Sequence, residues 1–245
     1  MRADYLVTAT VVLVHGAWHG AWCWEHLVPL LTAAEVPNVA IDLPGHGVST
    51  EPLGDLGGDA RALATTLGGI DGPIVVCGHS YGGAVITQGA AGNDSVEHLV
   101  YLAAFALDVG EACTSAAPGA VPDDVMRTDL AEALRFDDDG TITLDPDLAI
   151  PALYNECTRS DAVAAASRLG AQSIAELDGT VTVAAWRGVP STYAVCERDQ
   201  AVPPALQRVF AARCTHTVSW ETDHSPFFSR PDLVAELLVG LAARA

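Results

Sequence analysis

The chain has 245 residues, half of them hydrophobic and only 18% charged, so it can bury a sizeable core and is not a disordered protein. The 31 acidic residues outweigh 12 basic ones, all of them Arg, for a net charge of −19, and no basic patch is present to bind nucleic acid or an anionic membrane. The six cysteines (Cys23, Cys77, Cys113, Cys157, Cys196 and Cys214) form no C-x-x-C pair and no zinc-type spacing, so they read as reduced thiols, with no metal expected.

The length fits one α/β domain spanning residues 1–245. The start, Met1-Arg2-Ala3-Asp4-Tyr5, lacks the pattern of a secretory leader. No apolar run reaches the roughly 18 residues of a spanning helix. The expectation is a soluble, cytoplasmic protein, monomer or homodimer, that acts on a small molecule.

The first strand is Val11–Val14, inside an apolar stretch that begins at Leu6. A helix with apolar Leu27, Leu30 and Leu31 follows over Trp24–Ala34, then a strand over Val39–Ile41 and a helix over Asp59–Leu67. The run Ile74–Cys77 is continuously apolar, as in a strand buried on both faces. A helix over Gly82–Ala91 and a strand over Leu99–Ala103 complete a βαβα alternation, which predicts a mostly parallel sheet with helices on both faces. The pattern breaks between about 108 and 186, where acidic clusters (Asp123-Asp124, Asp137-Asp138-Asp139) sit among helical pieces such as Ala162–Leu169. That length is too great for a connection and predicts an inserted cap over the carboxyl edge of the sheet. Strand Ser191–Cys196, helix Pro204–Ala212, strand Thr215–Trp220 and a helix over Pro231–Ala242 resume the alternation.

The strongest chemical signal is Gly78-His79-Ser80-Tyr81-Gly82, a G-x-S-x-G pentapeptide between a strand and a helix. The strand must turn sharply into the helix, so the serine sits at the apex with its hydroxyl protruding. Small neighbours allow strand and helix to approach, and the helix N-terminus favours negative charge at the reacting oxygen. A serine hydroxyl needs a base. Of the eight histidines (15, 19, 26, 46, 79, 98, 216 and 224), His224 follows the last strand and fits. His216 lies within a strand, His79 points away from the serine, and His15 reads as a structural hydrogen-bonder. The base needs a carboxylate, and the candidates are Asp199, Glu197, Asp108 and Asp223. Asp199 lies in the loop after the penultimate strand and gives the order Ser80…Asp199…His224. Asp108, after the strand that follows the nucleophile helix, is the alternative. An oxyanion would be held by the Tyr81 amide and by the Ala17 amide of His15-Gly16-Ala17-Trp18, with Trp18 at the pocket wall. Trp22 and Trp24 read as core packing. Asp42-Leu43-Pro44-Gly45-His46-Gly47 reads as a strand-ending turn.

Together these residues resemble the α/β-hydrolase superfamily. More narrowly, they resemble the branch that holds plant methyl-ester esterases, plant hydroxynitrile lyases and bacterial relatives. The shared stretches are Val14-His15-Gly16-Ala17-Trp18-His19-Gly20-Ala21-Trp22-Cys23-Trp24, the Asp42–Gly47 turn, Gly78–Gly83, Val100-Tyr101-Leu102-Ala103-Ala104-Phe105 and Asp223-His224-Ser225-Pro226-Phe227. The resemblance implies the α/β-hydrolase fold, Asp199 as the acid and Ala17 as the first oxyanion donor. It also implies Phe105, Tyr154, Trp186 and Phe227 as pocket residues. Such lyases usually carry a Lys beside the histidine, an acidic residue before the serine and a hydroxyl side chain at the position of Gly16. Ser225, His79 and Gly16 stand there instead. The implied activity is cofactor-free hydrolysis of a carboxylic ester with small to medium apolar groups. A lactonase or thioesterase, a lyase or cyclase using the same triad, and a non-catalytic ligand receptor are the alternatives. Dehalogenases and epoxide hydrolases of this fold use an Asp nucleophile, which Ser80 argues against.

Overall fold

A computed structural model describes residues 8–116 and 128–244. The apolar stretch at Leu6, the N-terminal pentapeptide and the Asp123-Asp124 cluster lie wholly or partly outside them.

The chain opens with β1 (Thr10–Val14), a 3-10 turn over Ala21–Trp24, α1 (Val28–Ala33) and β2 (Asn38–Ile41). The single helix expected over 24–34 is therefore split. Pro29 has no N–H to give to the Glu25 carbonyl, so a helix cannot run back through it. Next come α2 (Leu56–Gly68), β3 (Ile74–His79), α3 (Gly82–Gly89) and β4 (Val96–Leu102). Asp55 caps α2 by accepting from the Gly58 N–H at 2.7 Å. All six residues of β3 are buried, as its unbroken apolar run requires.

Between β4 and the next strand of the main sheet the chain builds a small layer of its own. It holds α4 (Leu130–Ala133), β5 (Leu134–Phe136), β6 (Thr141–Leu144), α5 (Pro146–Leu153), α6 (Arg159–Ala166), β7 (Gln172–Ser173) and α7 (Ile174–Asp178). The three strands pair antiparallel in the order β5-β6-β7. This sheet has no counterpart among the sequence expectations, because two- to four-residue strands are too short to show an alternating pattern. The chain then returns through β8 (Ser191–Cys196), α8 (Pro204–Ala211), β9 (His216–Trp220), α9 (Pro226–Ser229) and α10 (Pro231–Ala242).

The main sheet is parallel throughout, in the order β2-β1-β3-β4-β8-β9. The chain runs outward from β1 to β2 and then crosses to β3 on the other side of β1. The carboxyl ends of β1 and β3 thus flank the point where strand order reverses, which is where open α/β sheets make their binding crevice. Val12, sandwiched between Val39 and Val76, has no exposed surface. Among the described residues no helix is long and apolar enough to cross a membrane.

Candidate active site

Ser80 sits between the end of β3 and the start of α3 with φ +50°, a left-handed conformation that costs a non-glycine residue about 1–3 kcal/mol. The surrounding backbone holds it there. The Ser80 N–H donates to the Leu102 carbonyl at 3.2 Å, and its own carbonyl accepts from Gly83 N–H at 3.0 Å and Phe105 N–H at 3.1 Å. The turn also packs against the end of β1. A Cβ on Gly82 would lie 2.6 Å from the carbonyl oxygens of both Val14 and His15. The Ser80 hydroxyl opens on a cavity and has no hydrogen-bond partner among the described residues.

His224 follows β9 and is buried. Its Nδ1 lies 2.7 Å from Asp199 Oδ2. Asp199 is itself fully engaged: Oδ1 accepts from the Ala201 and Val202 amides at 2.7 and 2.8 Å, and Oδ2 also accepts from Gln207 Nε2 at 2.8 Å. A carboxylate fixed by two amides and a carboxamide holds the imidazole with its proton on Nδ1, leaving Nε2 as the basic nitrogen. Asp108, the alternative carboxylate, instead pairs with Arg187 at 2.6 Å, and that guanidinium holds its carboxyl below the usual range. Asp223 is turned toward Ser229 and toward the Glu156 amide. Glu197 pairs with Arg208.

His79 ties the serine turn to the histidine loop. Its Nε2–H donates to the His224 carbonyl at 2.9 Å. Burial, with His224 and His19 close by, pushes its pKa well down, so it stays neutral. His15 accepts from the Leu43 N–H at 3.1 Å and donates to the Gly16 carbonyl at 2.8 Å, the structural role its position suggests. In the 42–47 turn, Gly45 and Gly47 take φ +75° and +57°.

The loop after β1 brings Ala17 to the same cavity as Ser80 and Tyr81. Neither the Ala17 nor the Tyr81 N–H has an internal acceptor among the described residues. A Cβ on Gly16 would fall 2.8 Å from His79 Nδ1 and 2.9 Å from Ser80 Cβ, so only glycine lets this loop lie against the serine.

The cavity measures about 390 Å³. Trp18 and Phe105 line it, together with Leu130, Phe136, Ile142 and Leu177 of the inserted layer. Its described walls carry no basic side chain. The structure does not bring the other three aromatic candidates to this wall. Tyr154 is buried with its hydroxyl 2.7 Å from His19 Nε2. Trp186 donates its indole N–H to the Leu107 carbonyl at 2.8 Å. Phe227 packs beneath His79, ring centres 4.8 Å apart. Two glutamines that hold neighbouring residues, Gln207 on Asp199 and Gln172 on Trp18, have no place among the sequence expectations. Gln207 had a signal, a polar residue flanked by Leu206 and Phe210 on the buried face of α8. Gln172 had none, since its strand is two residues long.

The pattern has known counterparts. The chain is 30% identical to the alpha/beta hydrolase nvfD of Aspergillus novofumigatus, over 98% of this chain and 99% of that protein. It is 35% identical to a carbendazim hydrolyzing esterase of a Nocardioides species, over 48% of this chain and 50% of that one. The crystal structure of the methylesterase MES16 from Arabidopsis superposes with a TM-score of 0.80 at 23% identity, covering 97% of this chain and 100% of that one. The profile of the alpha/beta hydrolase family matches residues 11–237, and with that coverage the chain belongs to this family.

Proposed function

We propose that the protein is a serine hydrolase that cleaves a carboxylic ester of a small to medium apolar substrate through an acyl-enzyme. The observation that carries this reading is the Asp199–His224 pair, closed at 2.7 Å and tied by the His79 hydrogen bond to the strained turn that carries the serine. His224 Nε2 takes the Ser80 proton as Oγ attacks the ester carbonyl. The carbonyl oxygen, now an oxyanion, accepts from the Ala17 and Tyr81 amides at the N-terminus of α3. His224 then gives its proton to the leaving alcohol. A water molecule, deprotonated by the same nitrogen, releases the acid and regenerates Ser80. Every group in this sequence belongs to the protein, so the proposal calls for no cofactor.

The walls of the cavity favour an apolar substrate, and the inserted layer acts as the cap that desolvates it. Esterase-type relatives support ester cleavage over the other chemistries, with lactones and thioesters open to the same machinery. Lyase chemistry is disfavoured by position 16, where any side chain would collide with His79 and Ser80.

A pre-steady-state burst with p-nitrophenyl acetate, one equivalent per active site, is expected, along with fluorophosphonate labelling at Ser80. Ser80→Ala should lose both while keeping the wild-type Tm. Folded protein that gives neither burst nor label would refute the hydrolase reading.

A further inference from the structure

Trp18 adopts φ +63°, a conformation that a bulky residue holds only where its surroundings over-determine it. What does so comes from the inserted layer. The Trp18 N–H donates to Gln172 Oε1 at 2.9 Å, its carbonyl accepts from the Gly170 N–H at 2.8 Å, and its indole N–H donates to the Ile142 carbonyl at 3.0 Å. The preceding carbonyl, of Ala17, accepts from His19 Nδ1 at 2.7 Å. The Tyr154 hydroxyl, donating to His19 Nε2 at 2.7 Å, keeps the proton on Nδ1. Burial lowers the His19 pKa to about 4, so the ring is neutral and carries one proton to place.

The peptide unit from the Ala17 carbonyl to the Trp18 N–H is a rigid plane. Here it is clamped at both ends, by His19 at the oxygen and Gln172 at the hydrogen. The Ala17 N–H itself lies in the preceding peptide plane, whose Gly16 carbonyl accepts from His15 Nδ1 at 2.8 Å and from the His19 N–H at 3.3 Å. With the planes on both sides of the Ala17 Cα held, its φ and ψ are set, and with them the direction of the N–H; the Ala17–Trp18 clamp supplies the second of the two. Gln172 is itself held. Its Oε1 must face the Trp18 amide, which can only donate, so its Nε2 is left to donate to a Glu176 side-chain oxygen. Glu176 accepts in addition from the Gly54 and Ser173 amides at 3.1 and 3.2 Å. His46 also packs here, its Nε2 3.0 Å from Gln172 Oε1 and its Nδ1–H donating to the Pro44 carbonyl at 2.9 Å.

We infer that Gln172 is a positioning residue for the oxyanion hole: bonded to the loop after β1, the inserted layer helps aim the Ala17 amide at the reacting oxygen through Gln172 and through the Tyr154–His19 relay. This rests on the hydrolase reading above. Gln172 touches neither substrate nor Ser80; it acts through the Ala17–Trp18 peptide.

The test compares Gln172→Met, which keeps length and loses the acceptor, with Tyr154→Phe and with Leu144→Ala. Leu144 is a buried residue of β6 that does not line the cavity. Misdirecting one donor should lower kcat by about 10- to 100-fold in Gln172→Met, within the range known for removing such a donor, and leave KM within about threefold. Affinity for a trifluoromethyl ketone, whose adduct carries the oxyanion, should fall by the same factor as kcat/KM. Tyr154→Phe should lower kcat in the same way but by less. Leu144→Ala should lower Tm and keep kcat. A wild-type kcat in Gln172→Met would overturn the inference, as would equal kcat losses in Leu144→Ala and Gln172→Met at equal Tm. If Gln172→Met does not fold, a wild-type kcat in Tyr154→Phe overturns it. A wild-type protein with no turnover at all refutes the hydrolase reading instead, so the two failures are distinguishable.

Discussion

Asp199 shows how much a single side chain is asked to do. Its two oxygens receive four donors: two amides, a carboxamide and the His224 ring. An asparagine in its place keeps one acceptor oxygen and turns an NH2 toward donors. If that oxygen serves the Ala201 and Val202 amides, the NH2 faces His224 Nδ1 and drives the proton onto Nε2, which removes the base. Asp199→Asn should therefore cut kcat by roughly 10⁴, the loss measured for the equivalent change in a serine protease, with little change in Tm. A loss of that size from Asp108→Asn, with Asp199→Asn unaffected, would show the wrong carboxylate has been assigned. At this scale the sequence was informative where order along the chain restricts the choice, as for Ser80, Asp199 and His224. It was silent on Gln172, whose role depends on a residue 154 positions away.

At the scale of elements, the site is made by close approach. The serine turn can lie against the end of β1 only because both partners lack side chains, at Gly16 on one and Gly82 on the other. Gly16→Ala places a Cβ 2.8 Å from His79 Nδ1 and 2.9 Å from Ser80 Cβ, both buried with little room to move. The overpacking should cost about 1–3 kcal/mol of stability, read as a lower midpoint in urea. It should also lower kcat at least tenfold, because the Ala17 amide is carried away from the serine. A variant with wild-type midpoint and kcat would mean that the loop yields freely. The strand read over Ser191–Cys196, fully buried, matches its sequence reading residue for residue. The failures came where one residue overrides a periodic pattern, as Pro29 does at α1, or where strands are too short to have a pattern, as in β5–β7.

Across the whole molecule, burial leaves charged forms without water, and this shapes the response to pH. His15 is pushed down to about 3, His19 and His98 to about 4, and His79 well down, with desolvation the largest cause in each. Asp59 and Glu176 are pushed up to about 7, and Asp223 upward, again chiefly by burial. Asp59 accepts from the Tyr81 hydroxyl at 2.5 Å through one oxygen, while its other oxygen has no partner among the described residues, as suits a neutral acid. Below the ordinary histidine value of 6.5, the unfolded chain binds protons that the folded histidines refuse, so stability falls as the pH drops. The carboxyls act oppositely. The folded state keeps protons that the unfolded chain releases near 4, so the contribution of Asp59 and Glu176 is lost as pH rises toward 7, and that of Asp223 acts in the same direction. Four histidines outnumber three carboxyls below 6.5, and above it only the carboxyls act. Calorimetry should give a maximum Tm at about pH 6 to 6.5. Asp59→Asn, whose oxygen still accepts from Tyr81, should flatten the decline above that pH. A wild-type Tm that rises steadily to pH 8 would show that these carboxyls are ionised in the fold.

The sequence by itself determined the fold class, the strand-turn-helix that carries Ser80, and the chain order of serine, carboxylate and histidine. These are local patterns: apolar runs fix strands, and glycines at fixed offsets fix a turn. Only the tertiary structure decided which carboxylate reaches His224, which aromatic residues reach the cavity, and what holds the strained Trp18. Each of those depends on contacts between segments far apart in the chain, and above all on an inserted layer whose short strands pair only with one another and are tied to the loop after β1 through Trp18.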